Sequence, residues 1–318
     1  MSAVGGRTGG VIVRWSAYLR VVGAWAVACA LVMAPAVPAG AGDVRESRSY
    51  PRCDGPVSGC VDEAERVLVR LRDELGCDHR APFATVYVSV QQALAAAVRR
   101  PGAFEEPSWL AGDLNTGFVG LYLAAHRADR AGSPVPRAWR IAFDTARSGD
   151  ANAGQDVLLG ANAHIQRDMP YVLARLGTTR PDGTSRKPDY DRFQSVLERA
   201  YGPGVRQVAR RYDPVAGLAD DRWNPVAGLT VTQLLRVWRE QAWVHARRLT
   251  DARDDAARRR VARDIEHDAA RWAALLAVAQ VPGYRRLRDA HCADGPAGPR
   301  SPQPVEPVKS VRIAAMSN

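Results

Sequence analysis

The sequence predicts an all-α fold, a single-domain bundle of about nine helices. Apolar residues recur three and four positions apart through most of the chain, the period of one helix face. No run sustains the period-2 alternation of a half-buried strand. The short Val86–Val90 string alternates, but it lies inside a helical pattern. Gly and Pro pairs cut the pattern into helix-length pieces, and no internal repeat of fixed period is visible.

Residues 1–41 read as a secretory signal peptide. Arg7, Arg14 and Arg20 come first with no acid, Val21 to Pro38 is uncharged and mostly apolar, and Ala39-Gly-Ala41 supplies a small-residue cleavage pattern. An uncleaved anchor is the alternative, because such a run nearly spans a bilayer. Pro35 and Pro38 beside the small residues favour cleavage. Residues 42–59 are a polar lead-in, 60–292 the helical domain, and 293–318 a Pro/Gly-rich tail expected to be disordered. The expected location is secreted or extracytoplasmic, with no membrane association once the leader is removed.

Within the domain, Val61, Ala64, Leu68, Leu71 and Leu75 share one face. Asp62 and Glu63 sit in the first turn, where the helix dipole favours acids, and Gly76 ends the helix. Pro82 opens the second helix, with Phe83, Val86, Tyr87, Val90 and Leu94 inward, and Pro101-Gly102 closes it. The third runs from about Leu110 to Asp129 with Asp113 as its cap. Arg137 to Ala146 carries Trp139 and Phe143. After Ser148-Gly-Asp150, residues 155–169 read as one helix. Gly177 to Pro188 is a polar loop expected to be mobile. Tyr190 to Tyr201 is helical until Gly202-Pro-Gly204 breaks it. An irregular connection, 212–229, precedes a helix over 231–249 capped by Thr230. A charged helix over 252–279 follows, with Ile265, Trp272, Leu275, Leu276 and Val278 inward, and a last turn reaches Cys292.

Without the leader about 275 residues remain, enough for one large domain with a sizeable core. The formal charge of +10 is almost wholly arginine, since Lys187 and Lys309 are the only lysines. The arginines are scattered among Asp and Glu, as in Arg253 to Asp264. A nucleic-acid reader gathers its charge on one face, so no nucleic-acid partner is expected.

Cys53, Cys60, Cys77 and Cys292 form an even set beyond the leader, the pattern of two disulfides in an exported protein. A helix over 61–76 would separate Cys60 from Cys77 by about 25 Å, far beyond the roughly 7 Å that a disulfide allows. Cys53–Cys60 closes a short Gly/Pro loop, which leaves Cys77–Cys292. The third pairing needs a fully stretched segment.

The helix over 155–169 holds the candidate site. Its apolar residues Val157, Leu158, Ala161, Ile165 and Met169 fall within an arc of about 120°. Asp168 projects inside that arc, with His164 at one edge and Asn162 at the other. A carboxylate on an apolar stripe is costly unless it is paired. Three readings of Asp168 stand: a cap for a new helix over 169–176, an ion pair with Arg239, or a catalytic or ligand role. The i, i+4 spacing lets His164 and Asp168 share a face, suited to a metal or to acid–base work. On 231–249, His245 lies within the apolar stripe, with Arg239 and Trp243 at its edge. If the two helices pack, His164, Asp168 and His245 could hold a divalent metal, and Arg239 could bind an anionic group. For His245 alone a satisfied core histidine is favoured. His126 and His267 read as surface residues, and His79 and His291 have no evident partner.

Gly160-Ala-Asn-Ala-His-Ile-Gln-Arg-Asp-Met-Pro170 resembles the N-A-H-I-x-x-D-[LM]-P signature of an actinobacterial family, a domain of unknown function. Leu121 to Ala125, Pro134 to Trp139, Asp189 to Phe193 and Trp238 to Trp243 are similar to its other segments. The resemblance covers about residues 61–285 and implies an all-helical domain without an assigned activity. It includes Asn162, His164, Asp168, Arg239 and Trp243 but not His245 or His126.

Two functions follow as expectations. One is a metal-assisted hydrolase of an anionic or ester substrate, with His164 as ligand or base, Asp168 as orienter, Asn162 as hydrogen-bond donor, and Arg239 and Trp243 on the substrate. The other is a non-catalytic binding or structural protein, with a small molecule or nothing as partner. There the His164, Asp168 and Arg239 cluster holds helices together.

Overall fold

A computed structural model describes residues 53–278 and 281–298. The expected leader and its cleavage site, the start of the expected lead-in and the expected tail beyond residue 298 lie outside the described residues. Helix α1 (Val57–Leu75) leads to α2 (Ala81–Val98). A π-helical turn (Ser108–Leu114) runs straight into α3 (Asn115–Arg130), and α4 (Arg137–Ser148) follows. Next come α5 (Ala153–Asn162), a second π-helical turn (Ala163–Asp168) and α6 (Met169–Leu176), continuous with one another. The chain continues with α7 (Lys187–Arg192), α8 (Gln194–Arg211) and a 3-10 turn (Pro214–Ala219). It ends with α9 (Pro225–Thr250), α10 (Asp255–Ala277) and α11 (Tyr284–Asp294). The domain is all-α, and among the described residues there is no strand.

Helix α2 is the hub. It is long and apolar enough to cross a membrane, yet 67% of it is buried inside the domain, as the central helix of a core would be. It packs on α1, α5 and α8; α10 packs on α4 and α5, and α9 on α6. One core cluster gathers Leu68, Phe83, Val119, Tyr122, Trp139 and Leu159. A second gathers Leu94, Trp109, Leu173, Tyr190, Val196 and Trp243. Gly160 lets α5 cross α2 closely, for a Cβ there would lie 2.5 Å from the Phe83 ring.

Both disulfides are Cys53–Cys60 and Cys77–Cys292, with Cα atoms 5.7 and 5.8 Å apart. They are compatible with an extracytoplasmic setting.

Several boundaries differ from the periodicity reading. The helix expected to stop near 169 continues to Leu176. Pro170 sits in the first turn of α6, where its missing N–H costs little. Helix α8 carries on through Pro203. Helix α9 starts at Pro225, because the Asn224 side chain accepts from Ala227 N at 3.0 Å and caps it; Thr230 lies inside the helix. Asp113 is part of the first π-turn, and its Oδ1 accepts from Cys53 N at 3.4 Å. The 177–188 loop is tied down, with Arg186 donating to the carbonyls of Leu176 and Thr179 and to Glu106. Leu275 and Val278 face outward, since α10 presents Ala269, Ala270 and Ala273 to the core instead. The start of the expected tail belongs to α11, which reaches Asp294.

Candidate functional site

The second π-turn adds a residue to the helical register and widens its buried face. Ala163, His164, Ile165, Gln166 and Asp168 are all buried. His164 Nδ1 bonds Asp168 Oδ2 at 3.1 Å, and His164 Nε2 bonds the Tyr87 hydroxyl at 3.2 Å. Trp139 Nε1 donates to the same Asp168 oxygen at 2.9 Å, and Arg167 donates to the other at 3.2 Å. Arg167 in turn donates to Glu266 at 2.8 Å. The Phe118 ring stacks flat on the His164 imidazole, with centroids 3.4 Å apart. Every ring nitrogen of His164 and both oxygens of Asp168 are therefore engaged, and the cluster ties together α2, α3, α4 and α10. Burial keeps His164 below the ordinary histidine pKa, so it is neutral at pH 7.

Asp168 has helical backbone angles and makes no side-chain cap bond, so it does not cap α6. Nor does it pair with Arg239. Asn162 donates to the Ala269 carbonyl at 2.9 Å and pins α5 to α10, away from His164. His245 bonds Asp268 at 3.1 Å between α9 and α10 and does not join His164 and Asp168. Among the described residues no group of three or more His, Cys, Asp or Glu is arranged to hold a metal ion. Trp243 packs its ring 5.0 Å from the Tyr190 ring and does not line the cavity beside the cluster.

A cavity of about 110 Å³ lies beside the cluster, between the two core clusters. Phe83, Tyr87 and Val90 line it from α2, Leu110 and Leu114 from the first π-turn, and His164 from the second. Phe193, Leu197 and Leu235 complete it from α8 and α9 and the residue between α7 and α8. The five stripe residues that define the organising helix, Val157, Leu158, Ala161, Ile165 and Met169, all line this cavity. The fully buried face of that helix instead carries Leu159, Ala163 and Leu173.

Arg239 is the charged group on the cavity wall. It is 3% exposed and forms no ion pair among the described residues. One terminal nitrogen donates to Gln194 Oε1 at 3.2 Å and the other to the Tyr190 carbonyl, while Nε has no acceptor. The Tyr190 hydroxyl returns a 2.9 Å bond to the Arg239 carbonyl, and the guanidinium lies 4.3 Å over the Tyr190 ring. Burial pulls the Arg239 pKa down from its ordinary value; an arginine nevertheless stays a cation.

A family model described as a family of unknown function (DUF5995) matches residues 61–279. The chain belongs to this family. No match was found among curated proteins or among solved structures. The family span contains the whole cavity and both π-turns.

Sequence reasoning overlooked Tyr87, Phe118, Arg167 and Gln194 as site residues, since no spacing links separate helices. The segment Asp189 to Phe193 did stand out. Asp189 accepts from Glu105 N at 2.8 Å and Glu106 N at 2.6 Å ahead of the first π-turn, Tyr190 clamps Arg239, and Phe193 lines the cavity.

His126 is buried against Phe143, and its Nε2 has no partner among the described residues, contrary to a surface placement. His79 is held between Asp289 at 2.9 Å and Arg288 at 3.0 Å, and His291 reaches the Ala209 carbonyl at 3.1 Å. Burial lowers the pKa of His79, His126 and His164 alike. The unfolded chain therefore binds protons near pH 6.5 that the folded chain refuses, and stability falls as pH drops through that range. Burial pushes the Asp156 carboxyl up to about 7, which acts in the opposite sense. With three histidines against one carboxyl, the melting temperature is expected to fall from pH 7.5 to pH 5.5, roughly the window of those shifts. It should fall less in His126→Leu. Calorimetry at the two pH values checks this, and a rise on acidification would contradict it.

Proposed function

We propose that this protein is a non-catalytic binder of a small apolar molecule, held in the cavity between α2, the two π-turns, α8 and α9. The observation that carries this reading is the apolar stripe of α5, the second π-turn and the start of α6, whose five residues all line the cavity, with Val157, Leu158 and Ala161 only partly covered by protein. Concave apolar sites with a few fixed polar groups are the usual form of a ligand pocket. The two π-turns on opposite walls point the same way, as such distortions concentrate at functional sites. Export to an extracytoplasmic compartment, consistent with the disulfides and the leader-like residues 1–41, belongs to the same proposal.

The hydrolase reading has less support. His164 and Asp168 are engaged by Tyr87, Trp139, Arg167 and each other, and among the described residues no third ligand completes a metal set beside them. That cluster reads as the wall that shapes the pocket.

Leu158→Trp tests the binding reading, because it fills the cavity from a partly exposed position. Saturation-transfer NMR with 1-hexanol is expected to show contact with the native protein and none with the variant, while the variant keeps its helical circular dichroism. Equal transfer in both proteins would place the alcohol elsewhere and sink the proposal.

A further inference from the structure

We propose that the ligand of this cavity is an amphipathic monoanion, a short aliphatic tail bearing a carboxylate head that pairs with Arg239. The inference rests on the cavity being a binding site and adds the class of molecule that fits it.

An unpaired cation inside a protein is costly, and buried charges are ordinarily paired. Arg239 breaks that rule. The acids that act on it from a distance, Asp191 and Glu240, share one cation, Lys187, at 2.5 and 2.8 Å, and neither carboxylate bonds the guanidinium. Arginine carries five N–H donors in one plane. The two terminal nitrogens donate, to Gln194 and to the Tyr190 carbonyl, and the Nε hydrogen finds no acceptor among the described residues. Nε and a neighbouring terminal nitrogen form the edge that receives a carboxylate in the two-bond, side-by-side geometry.

The rest of the cavity selects the tail. Its other walls are almost entirely hydrocarbon, with Phe83, Val90, Leu158, Ile165, Phe193 and Leu235 among them. An apolar cavity of about 150 Å³ takes up benzene, so one of about 110 Å³ suits a chain of about four to six carbons. Tyr190 holds the guanidinium by its carbonyl and by its ring, 4.3 Å away, and its hydroxyl bonds the Arg239 backbone carbonyl. The head-group site is therefore preorganised, which lowers the entropic cost of binding.

The test compares hexanoate with 1-hexanol by isothermal titration calorimetry on the native protein and on Arg239→Gln. Hexanoate is expected to bind the native protein about 30-fold more tightly than the alcohol, the scale of a buried charge pair. That preference should vanish in Arg239→Gln, while the alcohol binds as before. Should the variant fail to fold, the two ligands on the native protein still decide the question. Equal affinity for both would overturn the anionic head and leave the apolar cavity standing. Binding of neither would overturn both readings.

Discussion

Asp168→Ala is expected to destabilise the fold by about 3–5 kcal/mol, because it strips the partner from several buried donors at once. Asp168 is 1% exposed. Its carboxylate receives Trp139 Nε1, His164 Nδ1 and Arg167, three groups carried by α4 and the second π-turn. Without it the indole N–H loses its acceptor, and Arg167 keeps Glu266 and the Tyr171 ring. Buried donors left unsatisfied lose their hydration with nothing in return. Asp168→Asn retains an acceptor oxygen and is expected to cost less, about 1–3 kcal/mol. Urea denaturation of the two variants measures both values. The result also separates the functional readings. A carboxylate kept for catalysis tends to be held at the expense of stability, so its removal would leave the protein unchanged or more stable. That outcome would return Asp168 to the hydrolase reading.

Replacing both Cys77 and Cys292 with Ala is expected to be the second large effect. The disulfide joins residues 215 apart in sequence. In the chain-entropy treatment a loop of that length restricts the unfolded chain by about 5 kcal/mol, an upper figure for what its loss costs. The bond fastens the turn between α1 and α2 to α11, the last helix. Part of that attachment is independent of sulfur. Arg288 of α11 bonds Asp156 and the Ala151 carbonyl, each at 2.6 Å, and is itself 3% exposed. The double variant should therefore still fold, with a lower guanidinium midpoint, and α11 should exchange its amide hydrogens first. Uniform loss of protection across α1 to α11 would mean that the disulfide holds the whole bundle and not its last helix.

Much of the architecture was legible because a helix writes its period locally. The faces of α1 and α2, the glycine stop at Gly76, and the two disulfide pairings all follow from spacing and reach along one chain. Where boundaries slipped, at Pro203 and Pro225, the proline reads as a break, whereas the helix over 169–176 that Pro170 allows in its first turn is present as α6. Neighbouring helices or a first-turn position made each tolerable. The candidate site was legible only in part. The i, i+4 pairing of His164 with Asp168 is a local fact, and it is present at 3.1 Å. The convergence of His245 was an assumption about how two helices pack, and Asp268 takes that histidine instead.

The sequence by itself determined the helical class, the cysteine pairing and the pairing of His164 with Asp168, since each depends on separations within one segment or on the reach of a loop. Tertiary structure alone decided what the apolar stripe of α5 faces and what surrounds Arg239. A periodic stripe states that a surface is withdrawn from water and not whether protein or a ligand covers it. Here the helices leave a hydrocarbon cavity along that stripe and set an unpaired guanidinium in its wall, a juxtaposition of residues 157 and 239 that no local pattern encodes.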